Sequence, residues 1–597
     1  MQREIKKKTL TYGITAVFLA LILTTIVFNV GVPPYIRQVV SELKTFTSYS
    51  ELENFLKTGM EDAKRFNQPY FIPFFSDGEV HALSQEAKAA PAHSTTNIQV
   101  AGVDEADIVK TDGNYLYVVC RSTVYIVQAY PPSEAKVLSK VVLNETYDMD
   151  IYVNGNKLVV LTKRSTYLPL RTTFAYYYDA YAGASLVKVY DITNKTNPVL
   201  KRTVSLNGTL MGSRMIDGYV YIIANQMATN PYSNQTEVIL PEIEVNNEAK
   251  VVQPTEVRYL PLPDIVYYFT TVVAINVTND AQEPTYETLL TGATTSMYVS
   301  QDNMYLTVPD TTAWIDTTDG PKEETIICRA KLDKEDVVFE AQGSVSGYVL
   351  NQFSMDEYDG FFRIAATTGW GSGSVNNLYV LDMNLDVVGK LTGIAPGESI
   401  YSVRFMGDRG YLVTFRQIDP FFVIDLSAPT EPKILGFLEI PGFSGYLHPY
   451  DADHIIGIGV ESHNVKLSLY DVTNVSAPIE MDKFIVPAEY SSSEVLTDHK
   501  AFLFDKAKQL LALPVTAYGY TPYNFWQGAY VFNVTLNGGF VLKGTVTHIE
   551  NSTQWWNNNY YVQRTLYIDN TLYTVSNAKV KINSLTDLSP IKTIDLN

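Results

Sequence analysis

Charge of one sign is what this sequence most conspicuously lacks. Beyond the first residues it has no cluster of Lys or Arg, charged residues make up only 18% of its 597 residues, and its formal net charge is −19. Nothing here could neutralise a run of phosphates, which excludes nucleic acid as a partner; the acidic balance reads as a solubility device. Tryptophan is scarce, with five residues unevenly placed. No glycine-rich nucleotide loop occurs. The stretch Trp370-Gly371-Ser372-Gly373-Ser374 lacks the spacing of a nucleophile elbow, and Asp451-Ala452-Asp453 lacks the glycine and distal glutamate of a calcium loop. No cofactor and no metal site are expected. Cysteine is limited to Cys120 and Cys328, a number that by itself says little about compartment.

Long apolar runs are rare too, and the one at the N-terminus carries the topology. Arg3, Lys6, Lys7 and Lys8 form a basic tail over residues 1–9. The apolar run from Leu10 to Val30 that follows would measure about 31 Å as a helix, enough to cross a hydrocarbon core. It is longer than a signal-peptide apolar region and leads into Val32-Pro33-Pro34 without a small-x-small cleavage site. Residues 10–32 are therefore expected to be a transmembrane signal anchor, with the basic tail in the cytoplasm and the rest extracellular. Residues 33–98 read as a helical stalk and linker. There Ser48-Tyr49-Ser50-Glu51 has the form of a capping box, with Leu52, Phe55, Leu56, Met60 and Ala63 on one helix face. Eight Asn-x-Ser/Thr sequons follow the anchor, at Asn144, Asn194, Asn207, Asn234, Asn276, Asn474, Asn533 and Asn551, and are candidate glycosylation sites.

What the chain has in abundance is tyrosine, 42 residues, which favours β-structure and hydrogen-bonding aromatic surfaces. From about Gln99 onward one pattern returns: a short strand, a tight polar turn, a second aromatic or β-branched strand, a third ending near Asp or Asn, and a fourth. The first turns are Asp112-Gly113, Asn154-Gly155, Asp217-Gly218, Asp302-Asn303, Asp359-Gly360, Asp408-Arg409-Gly410, Asp451-Ala452-Asp453, Asp505-Lys506 and Asp569-Asn570. Asp-Gly and Asn-Gly tolerate the positive φ that two-residue hairpins need. Third strands carry their own marker, as in Val189-Tyr190-Asp191-Ile192-Thr193-Asn194 and Leu469-Tyr470-Asp471-Val472-Thr473-Asn474. Four strands per unit at this repeat predict an all-β fold, a single β-propeller of eight or nine four-stranded blades over residues 99–597.

The segment from Ser94 to Gly113, with Gln99-Val100-Ala101-Gly102-Val103-Asp104-Glu105-Ala106-Asp107-Ile108-Val109-Lys110 at its centre, resembles the opening of a known family. Gly442-Phe443-Ser444-Gly445-Tyr446-Leu447-His448-Pro449, Asp498-His499-Lys500-Ala501-Phe502-Leu503-Phe504-Asp505 and the stretch from Arg564 to Ser576 match it further on. These are secreted, membrane-anchored proteins of archaea and some bacteria with a C-terminal β-propeller distantly related to WD40 repeats. The resemblance implies a propeller and an extracellular setting; it implies no catalytic residues.

Two constellations invite a chemical reading. His448, Asp451, Asp453, His454, Asp498 and His499 come from neighbouring units, but blade order puts the two groups at opposite faces, about 17–20 Å apart. They are expected to be turn carboxylates and structural histidines, not a metal centre. Asp104, Glu105 and Asp107 offer paired carboxylates at the propeller entrance, expected to bond backbone amides at a strand entry. Recognition surface is sought instead in the insertions between second and third strands, 167–181, 230–264 and 518–526, and in a blade link near 555–561, all on one face. The candidate binding residues are Tyr176, Tyr177, Tyr178, Tyr181, Tyr518, Tyr520, Tyr523, Trp526, Trp555 and Trp556; such Tyr, Trp and Asn loops have the composition of adaptable paratopes. The expectation is a cell-surface binding or scaffolding module for a protein or glycan. An extracellular hydrolase or lyase with a central-channel site, or a surface-layer component, is the alternative. Cys120 and Cys328 fall in units one and four, too far apart around a ring to form a disulfide.

Overall fold

The computed structural model describes residues 43–64, 91–143, 148–166, 182–230, 237–262, 264, 266–310, 323–415, 419–519, 524–551 and 554–596. The expected anchor, 10–32, lies outside them; among the described residues no helix is long and apolar enough to cross a membrane.

Among the described residues nine sheets succeed one another along the chain, at 109–142, 148–207, 209–291, 296–346, 355–394, 399–440, 443–485, 490–546 and 564–595, antiparallel except where Val257–Tyr259 joins the third in parallel. We number them blades 1 to 9. All nine predicted turns join the first strand of a blade to its second. Positive φ falls where the dipeptides require it, as at Asp217 (47°) and Gly218 (81°). Second strands are largely apolar through their centres because both faces are covered by neighbouring blades: Tyr115–Cys120 is buried from Leu116 onward. Outer strands such as Val387–Ile394 keep only scattered buried positions.

Adjacent blades pack face to face, and the ring closes the same way. Val118, Cys120 and Tyr125 of blade 1 share one core with Leu566, Tyr573 and Ile582 of blade 9. The Tyr573 hydroxyl donates to Ala129 O (2.8 Å) across this seam. Tyrosine proves to be largely a core residue. Tyr117, Tyr152, Tyr221, Tyr298, Tyr305, Tyr411, Tyr470 and Tyr573 are fully buried. Some hydroxyls reach polar turns, as Tyr117 does to Asp112 (2.9 Å) and Tyr221 to Lys334 O (2.7 Å), and others reach strand side chains, as Tyr152 does to Ser213 (2.9 Å).

Two segments depart from the expected plan. The helix Tyr49–Lys64 (α1) does not stand off as a stalk but packs on blade 3. Leu52 and Leu56 are buried there, and Phe55 lies 4.9 Å from Tyr259 and 5.3 Å from Tyr267. A Cβ on Gly59 would come within 2.0 Å of the Tyr267 hydroxyl, so only glycine lets the helix approach this closely. At its start Ser48 Oγ accepts from Glu51 N (3.2 Å), while the Glu51 carboxylate takes the N–H of Thr47, one residue earlier than a standard capping box (2.7 Å).

The second departure is residues 91–108, the last of the supposed linker and the supposed strand entry. They run around the inside of the ring against the blade order. His93 pairs with Ile568 of blade 9; Asn97 Nδ2 donates to His499 O of blade 8 (3.0 Å) and Tyr446 Oη of blade 7 (3.3 Å). Gln99 Nε2 donates to Gln352 O and Met355 O at blade 5 (3.0 and 3.3 Å), and Ala101 O accepts from Gln301 of blade 4 (2.5 Å). Asp104 then pairs with Met215 of blade 3 and Asp107 with Ile151 of blade 2, before the chain enters blade 1. The segment is a belt lining the channel. Running along the inner strands, the belt satisfies inner-edge backbone groups that would otherwise be unpaired.

Candidate functional site

Because strands alternate in direction, the starts of first and third strands share one face of the ring with the ends of second and fourth strands. On this loop face aromatic clusters recur from blade 5 to blade 9. Tyr348 and Trp370 stack at 5.1 Å. Tyr401, Phe415 and Phe443 form a trio with centroids 4.8–5.4 Å apart. Tyr490 stacks on Tyr518 (5.6 Å), and Phe525 meets Trp555 (6.0 Å) and Tyr561 (5.6 Å). Trp370 is 49% and Trp556 69% exposed.

Of the residues predicted for this surface, Tyr176, Tyr177, Tyr178, Tyr181, Tyr520 and Tyr523 lie outside the described residues. Tyr518 and Trp556 are exposed; Trp555 is half-buried, its carbonyl accepting from Tyr561 Oη (2.6 Å). Trp526 turns edge-on to Tyr530 at 5.2 Å and packs against the core of blades 7 and 8. Trp370, Tyr401, Phe415, Phe443 and Phe525 were not foreseen. Tyr401, Phe415 and Phe443 occupy strand ends, where terminal aromatics were the available signal, whereas Trp370 sits in the second-to-third connection of blade 5 and Phe525 inside the insertion 518–526. The insertion 230–264 contributes differently than expected. Its hairpin, Glu242–Val245 with Glu248–Val251, pairs with the outer strand of blade 2, and Val257–Tyr259 adds to the outer strand of blade 3. It covers sheet edges that would otherwise expose unpaired N–H and C=O groups.

The channel holds the second candidate. The belt carboxylates do bond amides at a strand entry, Asp104 Oδ1 accepting from Glu105 N (2.9 Å) and Asp107 Oδ1 from Ile108 N (2.7 Å). They also engage buried cations on inner strands. Glu105 faces Arg214 Nε at 3.4 Å, Asp104 takes Lys110 Nζ at 2.7 Å, and Asp107 takes Arg564 Nε at 2.9 Å. Arg564 is shared with Asp498. Burial pushes Asp107 up against the pull of Arg564. Burial would also lift Asp498, but Arg564, Lys500 and His499 hold it well below the carboxylate range. A cleft of about 300 Å³ lies beside the belt, with Thr95, Asn97, Asp107, Lys110, Lys500 and Arg564 among its walls.

Asp498 and His499 lie within the first strand of blade 8 and not at its start. That strand is split into Tyr490–Ser492 and Leu503–Asp505, and the residues between them bulge toward the belt. His448 is accordingly not across the molecule from His499: both rings pack on Tyr446, at 6.1 and 6.5 Å. His448 Nδ1 meets Tyr446 Oη at 2.9 Å, and burial pushes its pKa down to about 3. His454 Nδ1 meets Asp451 at 2.7 Å, in a turn that also takes Lys506 (2.8 Å). Cys120 and Cys328 are free and buried, in blades 1 and 4.

Among the sequons, Asn194, Asn207, Asn474, Asn533 and Asn551 are exposed, and Asn144 and Asn234 lie outside the described residues. The recurrence of the pattern has a conformational cause. Asn194 Oδ1 accepts from Thr196 N and Oγ1 (3.1 and 2.8 Å), and Asn474 does the same with Ser476 (3.3 and 2.9 Å). These are Asx turns closing the third-to-fourth strand connection. Asn276 is spent in the same way, with Nδ2 also donating to Tyr219 Oη (3.1 Å) and Gln282 (2.8 Å).

Comparison with known proteins gives a match to the family described as "Beta propeller domain" over residues 93–588, which begins in the belt. An uncharacterized protein of Archaeoglobus fulgidus is 29% identical over 84% of this chain and 90% of its own. One of Methanocaldococcus jannaschii is 28% identical over 84% and 83%. Among solved structures, the crystal structure of Kluyvelomyces marxianus Hsv2 aligns over 64% of this chain and 98% of that one, at 6% identity and a TM-score of 0.32, a likeness too loose to build on.

Proposed function

The chain belongs to the beta-propeller domain family, and on that premise we propose that it is a binding or scaffolding module held at the cell surface by residues 10–32, engaging an extracellular protein or glycan through its aromatic loop face. The observation that carries this reading is the run of aromatic clusters on one face of blades 5 to 9, ending in the exposed Trp370, Tyr518 and Trp556. Aromatic side chains give large contact area at low entropic cost and are enriched where partners dock. The belt supports it from the other side, since the inner strands that would line a channel site are in good part bonded to the protein's own chain.

A hydrolase or lyase reading draws on one observation, the channel cleft with Asp107 and Asp498 pushed in opposite directions around Arg564, the kind of split that acid–base pairs use. Each of these carboxylates is nevertheless held by Arg564, and the bulge and belt that carry them are bonded across the ring. That arrangement suits a strut.

The test is affinity capture of intact protein from its native membrane, comparing wild type with Trp370→Ala/Trp556→Ala and with Asp498→Asn. Loss of the co-purifying partner in the tryptophan variant alone supports loop-face binding; loss in Asp498→Asn alone favours a channel site. Protease added outside intact cells should release the propeller. Mature protein beginning near residue 30 would contradict the anchor.

A further inference from the structure

Where blade 9 meets blade 1 the loop face carries a pocket of about 290 Å³, at the lower edge of the range of small-ligand sites and of a size for one sugar ring. It exists because the second-to-third connection of blade 1 is only the pair Arg121-Ser122, between Tyr115–Cys120 and Thr123–Gln128. Other walls come from the link before blade 9, with Asn557, Asn559 and Tyr560, and from Asn577 in the matching turn of blade 9.

The lining has an unusual chemistry for this chain. In a protein of net charge −19, no carboxylate is among the described residues that line the pocket, and Arg121 is the charged side chain there. Around it, Lys140 stands over Tyr125 at 5.0 Å and Lys579 over Tyr560 at 5.5 Å, the latter also paired with Glu550 (2.9 Å). The walls are ordered: Asn557 Oδ1 accepts from Asn559 N and Nδ2 (3.2 and 2.8 Å), and Cys120 Sγ donates to Asn577 O at the floor (2.8 Å). Arg121 holds a left-handed backbone, φ 53°, a conformation that glycine adopts at no cost and arginine does not.

We propose that this seam pocket binds a sugar residue bearing a carboxylate, a uronic acid. The inference rests on the loop-face reading above and narrows its ligand. A guanidinium presents a fixed fork of donors that fits a carboxylate bidentately. The amide groups of the asparagine walls not spent on each other, Asn557 Nδ2 and Asn559 Oδ1, offer a donor and an acceptor, the pattern that hydroxyl groups on adjacent ring carbons require. Tyrosine rings provide an amphipathic wall for the pyranose. A lone phosphate or acetate would use Arg121 and leave the asparagines idle; a neutral hexose would leave Arg121 idle.

Calorimetric titration of the full-length protein in detergent tests this, with D-glucuronate, D-glucose and acetate as separate probes and a hexuronate oligosaccharide as a fourth. Glucuronate should bind, with glucose and acetate each at least about tenfold weaker. Tighter binding of the oligosaccharide identifies a polymer as the source of the sugar; equal binding identifies a free acid. Arg121→Gln should weaken glucuronate about 10- to 100-fold. Arg121→Gly separates binding from folding, since it relieves the backbone while removing the guanidinium: melting temperature should hold or rise and binding should vanish. Equal affinity for the three small probes, no heat at millimolar glucuronate, or unchanged binding in Arg121→Gly would overturn the proposal. If glucuronate fails while Trp370→Ala/Trp556→Ala still loses its captured partner, this inference falls and the loop-face function stands. If capture ignores the tryptophans while Arg121→Gly loses glucuronate, the reverse holds.

Discussion

Asp107 Oδ1 lies 2.9 Å from Arg564 Nε, so a residue just ahead of the first blade is clamped by a buried ion pair to the innermost strand of the last. Arg564→Met removes the shared partner of both Asp107 and Asp498 and should cost about 3–5 kcal/mol, the range for stranding a buried charge. Asp107→Asn should cost less, because Arg564 keeps Asp498, and the Asp107→Asn/Arg564→Met double variant should be more stable than Arg564→Met alone. Urea unfolding midpoints give this order directly. An Arg564→Met midpoint at or above that of Asp107→Asn would remove the clamp from the account.

Two buried histidines set a pH dependence. His548 bridges Ser576 Oγ and Thr574 Oγ1, both at 2.8 Å, and burial lowers its pKa to about 3, as burial does for His448. Both stay neutral in the fold, whereas in the unfolded chain they take up a proton near pH 6.5. The depressed folded value fixes the sign: their contribution is fully present above about pH 6.5 and is lost as pH falls toward about 3, by at most about 1.4 kcal/mol per unit for each. His448→Phe, which can keep the contacts with Phe502 and Phe504, should flatten the slope of stability between pH 4 and 6. A slope identical to wild type would exclude His448 as a source.

The cysteines should behave as two isolated thiols. Burial pushes Cys328 up to about 12 and raises Cys120 as well, so neither should react with an aromatic disulfide reagent in native protein at pH 8. Unfolding without reductant should release two thiols; finding none would mean a crosslink and a wrong blade order.

How much of this was legible in the sequence follows from how local each feature is. The nine first turns were all readable, because a two-residue hairpin needs particular residues whatever surrounds it. Blade 8 hid its first strand, since Asp498 and His499 interrupt the strand to reach Asn97, about 400 residues earlier in the chain. The belt was invisible for the same reason. Residues 91–108 have no strand periodicity and no turn signature, and the side chains of Asn97, Gln99, Glu105 and Asp107 find partners on different blades. The conspicuous Asp104-Glu105-Ala106-Asp107 stretch looked like strand entry because its cations, Arg214 and Arg564, are remote in sequence. Tyrosine misled in degree: eight of the most deeply buried large side chains are tyrosines, so abundance measured the inter-blade core more than the surface. On the loop face, the long insertions drew attention away from strand-end aromatics such as Tyr401 and Phe443.

A belt of the protein's own chain pairs with the inner strands of the ring, and binding is assigned to the loop face instead. Hydrogen exchange on the full-length protein tests this most directly, in peptides covering residues 92–108. Ser94 N is bonded to Tyr567 O (3.0 Å), Asp104 N to Met215 O (2.7 Å) and Asp107 N to Ile151 O (3.2 Å). These amides should be protected to the same degree as the inner strands they pair with, exchanging only when the ring itself opens. Exchange of the whole segment within seconds, while Arg564–Ile568 and Thr209–Ile216 stay protected, would mean an open channel and would contradict the account.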